Sequence, residues 1–201
     1  ALASDTEPST RDEWLELIND LINLLKDTHE RVTYTSSSNV DVWDCMKAVD
    51  RDHTKGDDSN VYVKTIYSNT SLTFESADWN REHVYVKSFG IGGSGVDYSD
   101  VHNLVPAIAS VNSARNDKYY DNCNATEDAT CKQPAHALAA DDTGTNIDSN
   151  SYGRWMPPAD VRGDLARMNF YTALRYNGSY TESYTEQLTL SACPCKRLYA
   201  H

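Results

Sequence analysis

The most informative stretch of this sequence is Trp79-Asn80-Arg81-Glu82-His83-Val84-Tyr85-Val86-Lys87-Ser88-Phe89, where an Arg-Glu-His triplet meets an alternating apolar run. The alternation predicts a strand over residues 83–87, so the triplet lies where a strand meets a loop. Neighbouring strand residues point to opposite faces, but twist at the very end of a strand can bring Glu82 and His83 to one site. The triplet is therefore either catalytic or structural, with a surface salt bridge beside a histidine that packs against the protein.

A second polar stretch begins with Asp100-Val101-His102-Asn103 and continues into a helix predicted over residues 107–116, with Pro106 in its first turn. In that helix Asn112 and Arg115 share a face, because residues three positions apart are neighbours on a helix surface. Asparagine is a poor helix former. Asn112 is therefore either a ligand or a cap on a neighbouring backbone group.

Together the two stretches supply the groups that metal-assisted phosphodiester hydrolysis needs. The Glu82 carboxylate and the Asn112 amide oxygen are hard donors of the kind that Mg²⁺ binds, with water in its other positions. A histidine such as His83 can take the proton from an attacking water near neutral pH. A cation and a nearby arginine can share the charge that develops on the phosphate.

Around these stretches the sequence predicts a single α+β domain over residues 1–201. Thr10-Arg11-Asp12-Glu13 has the spacing of a capping box and opens an amphipathic helix over 10–28, predicted to pack on the core. The order of helix, strands, helix, long loop and helix does not fit a parallel β/α array. The other predicted elements are a helix over 40–46, a polar turn over 50–60, strands over 61–67 and 71–74, a Gly-rich loop over 90–95, an acidic loop region over 121–158 and a helix over 163–176.

Composition limits the classes of protein that this chain can belong to. With 201 residues, 39% of them hydrophobic, it is rich enough to bury a core, and it contains no apolar run that would span a membrane. The net charge of −12 argues against nucleic-acid binding through bulk electrostatics. Residues 1–60 carry 6 basic and 14 acidic groups, whereas residues 161–201 carry 5 and 3. A polyanion would therefore meet residues 61–120 and the C-terminal segment, although acidic loops also serve solubility.

The five cysteines favour an oxidising compartment. Cys123 and Cys131 flank a polar loop and are predicted to form a disulfide that closes it. Of Cys45, Cys193 and Cys195, one stays free or bonds elsewhere, and a bond from Cys45 to either of the others is one option. A zinc site fits this spacing poorly.

Other features of the sequence also favour an extracellular or periplasmic protein. The start at Ala1 has no Met and no hydrophobic signal core, so we interpret it as a mature N-terminus after processing or as a trimmed one. Three N-x-S/T triplets permit glycosylation, at Asn69, Asn124 and Asn177.

Five motifs occur in one order along the chain and are specific in combination. They are Asn80-Arg81-Glu82-His83, Lys87-Ser88, Asp100-x-His102-Asn103-Leu104-x-Pro106, Val111-Asn112-Ser113-x-Arg115 and Arg162-Gly163-Asp164-Leu165-Ala166-Arg167-Met168-x-Phe170-Tyr171. The set resembles the bacterial endonuclease I family of secreted or periplasmic ββα-metal (His-Me finger) nucleases, over roughly residues 35–180. The resemblance implies a ββα-metal core with additional helices and long loops.

The resemblance also implies roles for individual residues. Glu82 and Asn112 match the protein ligands of one divalent cation, with Mg²⁺ expected and Ca²⁺ or Mn²⁺ as alternatives. His83 matches the general base, which gives products with 5′-phosphates. Members cut DNA, and often RNA, with little sequence preference, which requires contacts to the phosphate backbone rather than to bases.

Further positions are carried over in the same way. Arg115, and after it Arg81, are nominated to contact the scissile phosphate, and Lys87 is predicted to bind substrate. Arg162 and Arg167 match positions that either pair with acidic groups or face the nucleic-acid backbone. The residues expected to scaffold the site are Asp100, His102 and Asn103.

The sequence departs from the family at two places near the site. His83-Val84-Tyr85-Val86-Lys87-Ser88 stands where relatives read His-Val-Trp-Pro-Lys-Ser, which changes packing but no ligand. Val105 replaces a frequent arginine and removes one potential phosphate contact. The prediction is a secreted, monomeric, metal-dependent endonuclease with no membrane segment and no obligate protein partner. Its rivals are a catalytically inactive, glycosylated extracellular binding module on the same fold and a phosphodiesterase acting on small nucleotides.

Overall fold

The structure is a computed structural model that describes residues 8–146 and 153–176, and it confirms the α+β class. Helices in the described part are α1 (Arg11–Asp27), α2 (Val42–Val49), α3 (Ala109–Arg115) and α4 (Arg162–Arg175). Strands there are β1 (Arg51–Gly56), β2 (Val61–Lys64), β3 (Ser71–Thr73), β4 (Trp79–His83), β5 (Leu104–Ile108), β6 (Tyr119–Tyr120), β7 (Cys131–Lys132), β8 (Gly144–Asn146) and β9 (Arg154–Met156).

The described strands form small sheets packed around one central core. One sheet has the antiparallel order β1-β2-β3, a second is the antiparallel pair β4-β5, and a third has the order β6-β9-β8-β7. The core between the β4-β5 pair, α3 and α4 is built from Val84, Val111, Trp155 and Leu165, each fully buried. Helix α3 follows β5 directly, so the site residues of both polar stretches come from one compact unit.

The strand predicted over residues 83–87 lies earlier in the chain, because β4 ends at His83. Its pairing with β5 runs from Trp79 opposite Ile108 to His83 opposite Leu104. Beyond that point the side chain of Asn103 replaces the strand partner. The Tyr85 N–H donates to Asn103 Oδ1 at 2.6 Å, and Asn103 Nδ2 donates to the Tyr85 carbonyl at 3.1 Å. His83 therefore lies at the C-terminal end of a strand.

The sequence predicted Pro106 in the first turn of a helix, but it lies in the middle of strand β5. It faces Arg81 in the ladder, and its carbonyl points away from β4, where it accepts the Ile66 N–H at 2.9 Å. The N and O of a strand residue lie on the same side, so the N–H that proline lacks would not have bonded to β4. Helix α3 accordingly begins at Ala109.

The other predicted helices are confirmed, with one difference in how α1 packs. The capping box of Thr10 and Glu13 is present, and α4 covers the predicted stretch. Of the apolar stripe on α1, however, Ile22 is buried while Trp14 and Leu24 are 43% and 51% exposed. Helix α1 contacts α4 along part of its length, so it packs on the core only in part.

Two stretches predicted to be irregular contain short strands. Residues 51–56, within the predicted turn, form the edge strand β1, whose largely exposed side chains give no hydrophobic alternation in the sequence. It ends at Gly56 with φ of 70°, where a Cβ would lie 2.0 Å from the Asn60 carbonyl oxygen. The acidic region over 121–158 contains β7, β8 and β9.

The predicted disulfide between Cys123 and Cys131 is present. Cys45 is a free thiol within the described residues, and its two candidate partners, Cys193 and Cys195, lie outside them, as does the triplet at Asn177. Within the described part of the chain, no helix has the length and apolar character needed to cross a bilayer.

Candidate active site

Both polar stretches contribute to one cavity of about 400 Å³ at the junction of β4 and α3. Six of the predicted site residues line it, namely Arg81, Glu82, His83, Lys87, Asn112 and Arg115. The β4 ladder brings the triplet to the cavity, and the turn from β5 into α3 brings Asn112 and Arg115 to the same place.

Glu82 is a buried carboxylate, 3% exposed, with a defined set of partners on one oxygen. The Tyr67 hydroxyl donates to its Oε1 at 2.8 Å, and Arg115 Nη1 lies 3.3 Å from the same oxygen. Burial raises the pKa of Glu82, while the positive charge of Arg115 and the bond from Tyr67 act in the opposite direction. The carboxylate is thus held on one side and lines the cavity with the other.

His83 is oriented by a backbone carbonyl and is 6% exposed. Its Nε2 lies 2.9 Å from the Tyr98 carbonyl oxygen. Because a carbonyl can only accept, Nε2 carries the proton and Nδ1 is the basic nitrogen. Burial lowers the pKa of His83 to about 4, so the imidazole is neutral at pH 7 and able to accept a proton.

Asn112 projects from α3, and the structure shows what its side chain contacts. Its Nδ2 donates to Asn80 Oδ1 at 2.7 Å, a side-chain bond across to β4 rather than a cap on neighbouring backbone. This bond orients the amide and leaves Oδ1 as the atom that could meet a cation.

The donor set of this cavity fits a hard divalent cation. Carboxylate and amide oxygens, from Glu82 and Asn112, are the protein ligands that Mg²⁺ accepts. Across residues 8–146 and 153–176, no three His, Cys, Asp or Glu side chains group as a metal site. A cation held here would therefore take most of its coordination from water, as Mg²⁺ commonly does.

Arg115, nominated from the sequence to contact the scissile phosphate, is buried in the structure. It is 1% exposed, and its guanidinium donates to the carbonyls of His83, Val84 and Asn116 at 3.4, 2.9 and 3.1 Å. Together with its ion pair to Glu82, these bonds tie α3 to the end of β4. Arg115 is thus buried and bonded within the protein although it lines the cavity, and its contact with the scissile phosphate stays a prediction.

Arg81 and Lys87 are the cationic side chains better placed for substrate. The Arg81 guanidinium carbon lies 3.5 Å from the centre of the Tyr34 ring and 4.2 Å from that of Trp43. Its Nη2 donates to Thr35 Oγ1 at 3.1 Å, and Nη1 donates to the Tyr34 carbonyl. Arg81 is thus fixed at the cavity wall by stacking and hydrogen bonds, whereas Lys87 is exposed at the rim.

The remaining predicted residues lie outside the cavity lining. Arg167 pairs with Asp164 on the surface of α4, and Arg162 Nε donates to the Pro157 carbonyl at 3.0 Å. Asn103 holds the backbone of Tyr85, as described above. Asp100 bonds to His102, with the Nδ1 of the histidine 3.0 Å from Oδ1.

Sequence reasoning gave no role to several residues that contact, directly or through a neighbour, the side chains lining the cavity. Tyr67 and Tyr120 are separated from Glu82 by 15 and 38 positions, so no local spacing could link their hydroxyls to the carboxylate. Tyr98 contributes only a backbone carbonyl, which leaves no signal in a single sequence. Asn80 directly precedes the triplet, and its position beside the motif was the one available hint.

Comparison with known proteins agrees with this geometry. The family model described as Endonuclease I matches residues 15–193. The extracellular ribonuclease of Bacillus subtilis (strain 168) is 39% identical over 162 residues, which is 77% of this chain and 50% of the relative. The extracellular ribonuclease of Bacillus amyloliquefaciens is 35% identical over 154 residues, or 75% and 46%. The chain thus spans about half the length of these curated relatives. It belongs to the Endonuclease I family.

Proposed function

We propose that this protein is a metal-dependent endonuclease that hydrolyses phosphodiester bonds in nucleic acids. The observation that carries the proposal is the neutral His83, whose Nε2 is anchored by a carbonyl and whose Nδ1 is basic, in a cavity shared with Glu82 and Asn112. The order β4, β5, α3 supports a ββα-metal core, with the base at the end of the first strand and one ligand on the helix.

The roles of the side chains follow from their placement. Glu82 and Asn112 would hold one divalent cation, Mg²⁺ as the first expectation, which when bound would neutralise charge on the phosphate and the leaving oxygen. His83 takes the proton from the attacking water, and the Tyr98 carbonyl keeps the ring in the tautomer that can do so. Arg81 and Lys87 contact the non-bridging phosphate oxygens in this scheme.

His83, the proposed general base, takes a proton from water and not from the sugar. Cleavage therefore requires neither a 2′-hydroxyl nor a particular nucleobase. Both DNA and RNA should therefore be cut, and the family resemblance implies that the products carry 5′-phosphates. The names of the two Bacillus relatives support RNA as a substrate and support secretion.

The test is cleavage of supercoiled plasmid and of single-stranded RNA in Mg²⁺, with and without EDTA. We expect His83→Ala to lower the rate by about 10²–10⁴-fold, the contribution typical of a general base, while Mn²⁺ binding persists. His53→Ala, on the exposed edge strand β1, is the matched control. End-group analysis of the RNA should show 5′-phosphates and no 2′,3′-cyclic phosphate.

Each contrary result identifies a different error. Full activity of His83→Ala, or of the wild type in EDTA, would overturn the assigned chemistry. Cleavage of RNA alone with cyclic ends would indicate a ribonuclease that uses the 2′-hydroxyl. Turnover of small chromogenic diesters without cleavage of polymers would favour the small-nucleotide phosphodiesterase, and no turnover at all would favour the binding module.

A further inference from the structure

A pair of buried tyrosines stands behind the carboxylate of the proposed metal site. Tyr67 and Tyr120 are both 0% exposed, and their hydroxyls are hydrogen-bonded to each other. Tyr67 also donates to Glu82 Oε1 at 2.8 Å. We call Tyr67 and Tyr120 the tyrosine pair.

The tyrosine pair is joined to Arg115 on its other side. The guanidinium carbon of Arg115 lies 4.6 Å from the centre of the Tyr120 ring, and Nη1 lies 3.3 Å from Glu82 Oε1. Tyr67 follows β2, Tyr120 lies in β6, Glu82 in β4 and Arg115 in α3. Tyr67 and Arg115 thus contact one carboxylate oxygen, and Tyr120 contacts both of them.

Burying a tyrosine hydroxyl costs free energy unless it is hydrogen-bonded, so an apolar core would be better served by phenylalanine at both positions. A tyrosine hydroxyl is protonated at neutral pH, so Tyr67 is the donor in its bond to the carboxylate. The Tyr67 hydroxyl bonds the Glu82 carboxylate, which phenylalanine could not do, and the Tyr120 hydroxyl bonds that of Tyr67.

We infer that Tyr67, supported by Tyr120, is a positioning residue for the reaction proposed above, on which this inference rests. A glutamate carboxylate rotates broadly about its terminal bond. The donors from Tyr67 and Arg115 approach Oε1 from different elements, so together they fix that rotation. Both contacts fall on Oε1, and the backbone N–H of His83 also interacts with the carboxylate. In this proposal Oε2 is the oxygen that meets a cation.

The same chain contains a second tyrosine–carboxylate bond that serves as a control. Tyr171 donates to Asp100 Oδ2 at 2.9 Å, and neither residue lines the cavity. Tyr171→Phe removes a tyrosine–carboxylate hydrogen bond away from the proposed site. It therefore reports how much the loss of such a bond lowers stability, without a change at the site.

The experiment measures Mn²⁺ affinity by calorimetry and the melting temperature of the metal-free protein, for the wild type, Tyr67→Phe and Tyr171→Phe. Outer partners of a metal ligand typically contribute 10–100-fold in affinity, so Tyr67→Phe should weaken Mn²⁺ binding by about that factor. Tyr171→Phe should lower the melting temperature and leave Mn²⁺ affinity at the wild-type value.

Wild-type Mn²⁺ affinity in a folded Tyr67→Phe protein would overturn the inference. If that variant does not fold, Tyr120→Phe decides the matter, because it removes only the outer hydroxyl. Tyr120→Phe should also weaken Mn²⁺ binding, by a smaller factor than Tyr67→Phe. An unchanged affinity would again refute the inference. If Glu82→Ala binds Mn²⁺ as the wild type does, the proposed function fails as well, which separates the two failures.

Discussion

Two buried carboxylates, Glu82 and Asp100, are each bonded to a tyrosine hydroxyl, yet their surroundings shift their pKa values in opposite directions. They are 3% and 2% exposed, so both have lost nearly all contact with water. Burial raises the pKa of Glu82, with Arg115 and Tyr67 opposing it only in part. Burial also acts to raise the pKa of Asp100, but hydrogen bonds from His102 and two tyrosines lower it below its usual value.

The difference lies in how completely each carboxylate is hydrogen-bonded. Asp100 Oδ1 accepts the backbone N–H and Nδ1 of His102 at 2.9 and 3.0 Å. Its Oδ2 accepts the hydroxyls of Tyr171 and Tyr176 at 2.9 and 2.8 Å. In Glu82 the tyrosine and arginine contacts both fall on Oε1.

The comparison separates a structural carboxylate from one suited to coordination. With donors on both oxygens, Asp100 ties the turn that precedes β5 to the C-terminal end of α4. Glu82 lines a cavity, and its contacts with Tyr67, Arg115 and the His83 backbone leave its pKa raised, so its negative charge is less fully compensated by the protein. A cation would supply that compensation.

The largest expected effect that tests this comparison is on catalysis at Glu82. Glu82→Gln keeps an acceptor for Tyr67 and Arg115 but removes the charge that would hold the cation. Cation stabilisation of the transition state is worth several kcal/mol, so we expect plasmid cleavage to fall by about 10³-fold, equivalent to roughly 4 kcal/mol.

Glu75→Gln, at an exposed position, is the matched control for that measurement and should cleave plasmid at the wild-type rate. Cleavage by Glu82→Gln within a few-fold of the wild type would show that Glu82, like Asp100, is only structural.

A smaller effect, on stability, is expected at Asp100. Asp100→Asn keeps the shape but removes the charge. The bonds from Tyr171 and Tyr176 become neutral if the amide oxygen stays on their side, and the amide NH₂, which can only donate, then faces His102. Charge-assisted bonds exceed neutral ones by about 1 kcal/mol each, so the free energy of unfolding should fall by about 2 kcal/mol. In a domain of this size that corresponds to a melting temperature lower by about 4–8 °C. A drop in cleavage at 20 °C as large as that of Glu82→Gln would remove the distinction between the two carboxylates.

The smallest expected effect is the pH dependence of the contribution that Asp100 and His102 make to the free energy of unfolding. The folded pKa of Asp100 is below its ordinary value of 3.8, so its contribution is fully present above that pH and is lost as pH falls through the folded pKa. The bond to Asp100 raises the pKa of His102 above 6.5, so the contribution of His102 is present below pH 6.5 and is lost as pH rises through its folded pKa.

The melting temperatures of wild type and Asp100→Asn should therefore differ most between about pH 4 and 6.5, measured in EDTA. A difference that stays constant from pH 3 to 8 would show that ionisation of this pair does not stabilise the fold.

Local sequence signals predicted the helices well and the strands less well. The capping box at Thr10 and the apolar spacing in α4 depend on residues a few positions apart, so they are visible in one sequence. The bounds of β4 depend on which residues β5 offers as partners, and Pro106 is tolerated only because its missing N–H would have faced away from β4. Neither fact is local.

The candidate site shows the same division. Glu82, His83 and Asn112 line one cavity, as expected from two motifs and a resemblance. The burial of Arg115 could not be foreseen, because arginine in a helix is usually exposed. Two of its carbonyl partners, His83 at the end of β4 and Val84 just after it, lie 32 and 31 residues away. The tyrosine pair could not be predicted, because a hydroxyl contact between two residues 53 positions apart leaves no pattern in the sequence.

The two hydrogen bonds between the Asn103 side chain and the Tyr85 backbone have a consequence for the dynamics of the chain around His83. Val84 N–H also donates to the Asn103 carbonyl, at 3.0 Å, so successive amides after β4 are bonded although they belong to no strand. Amide hydrogens held this way exchange with solvent only when a large part of the structure opens. We therefore expect the Tyr85 amide to exchange with deuterium as slowly as the amides of the core strands, and slow exchange would mean that the main chain beside the proposed base opens rarely.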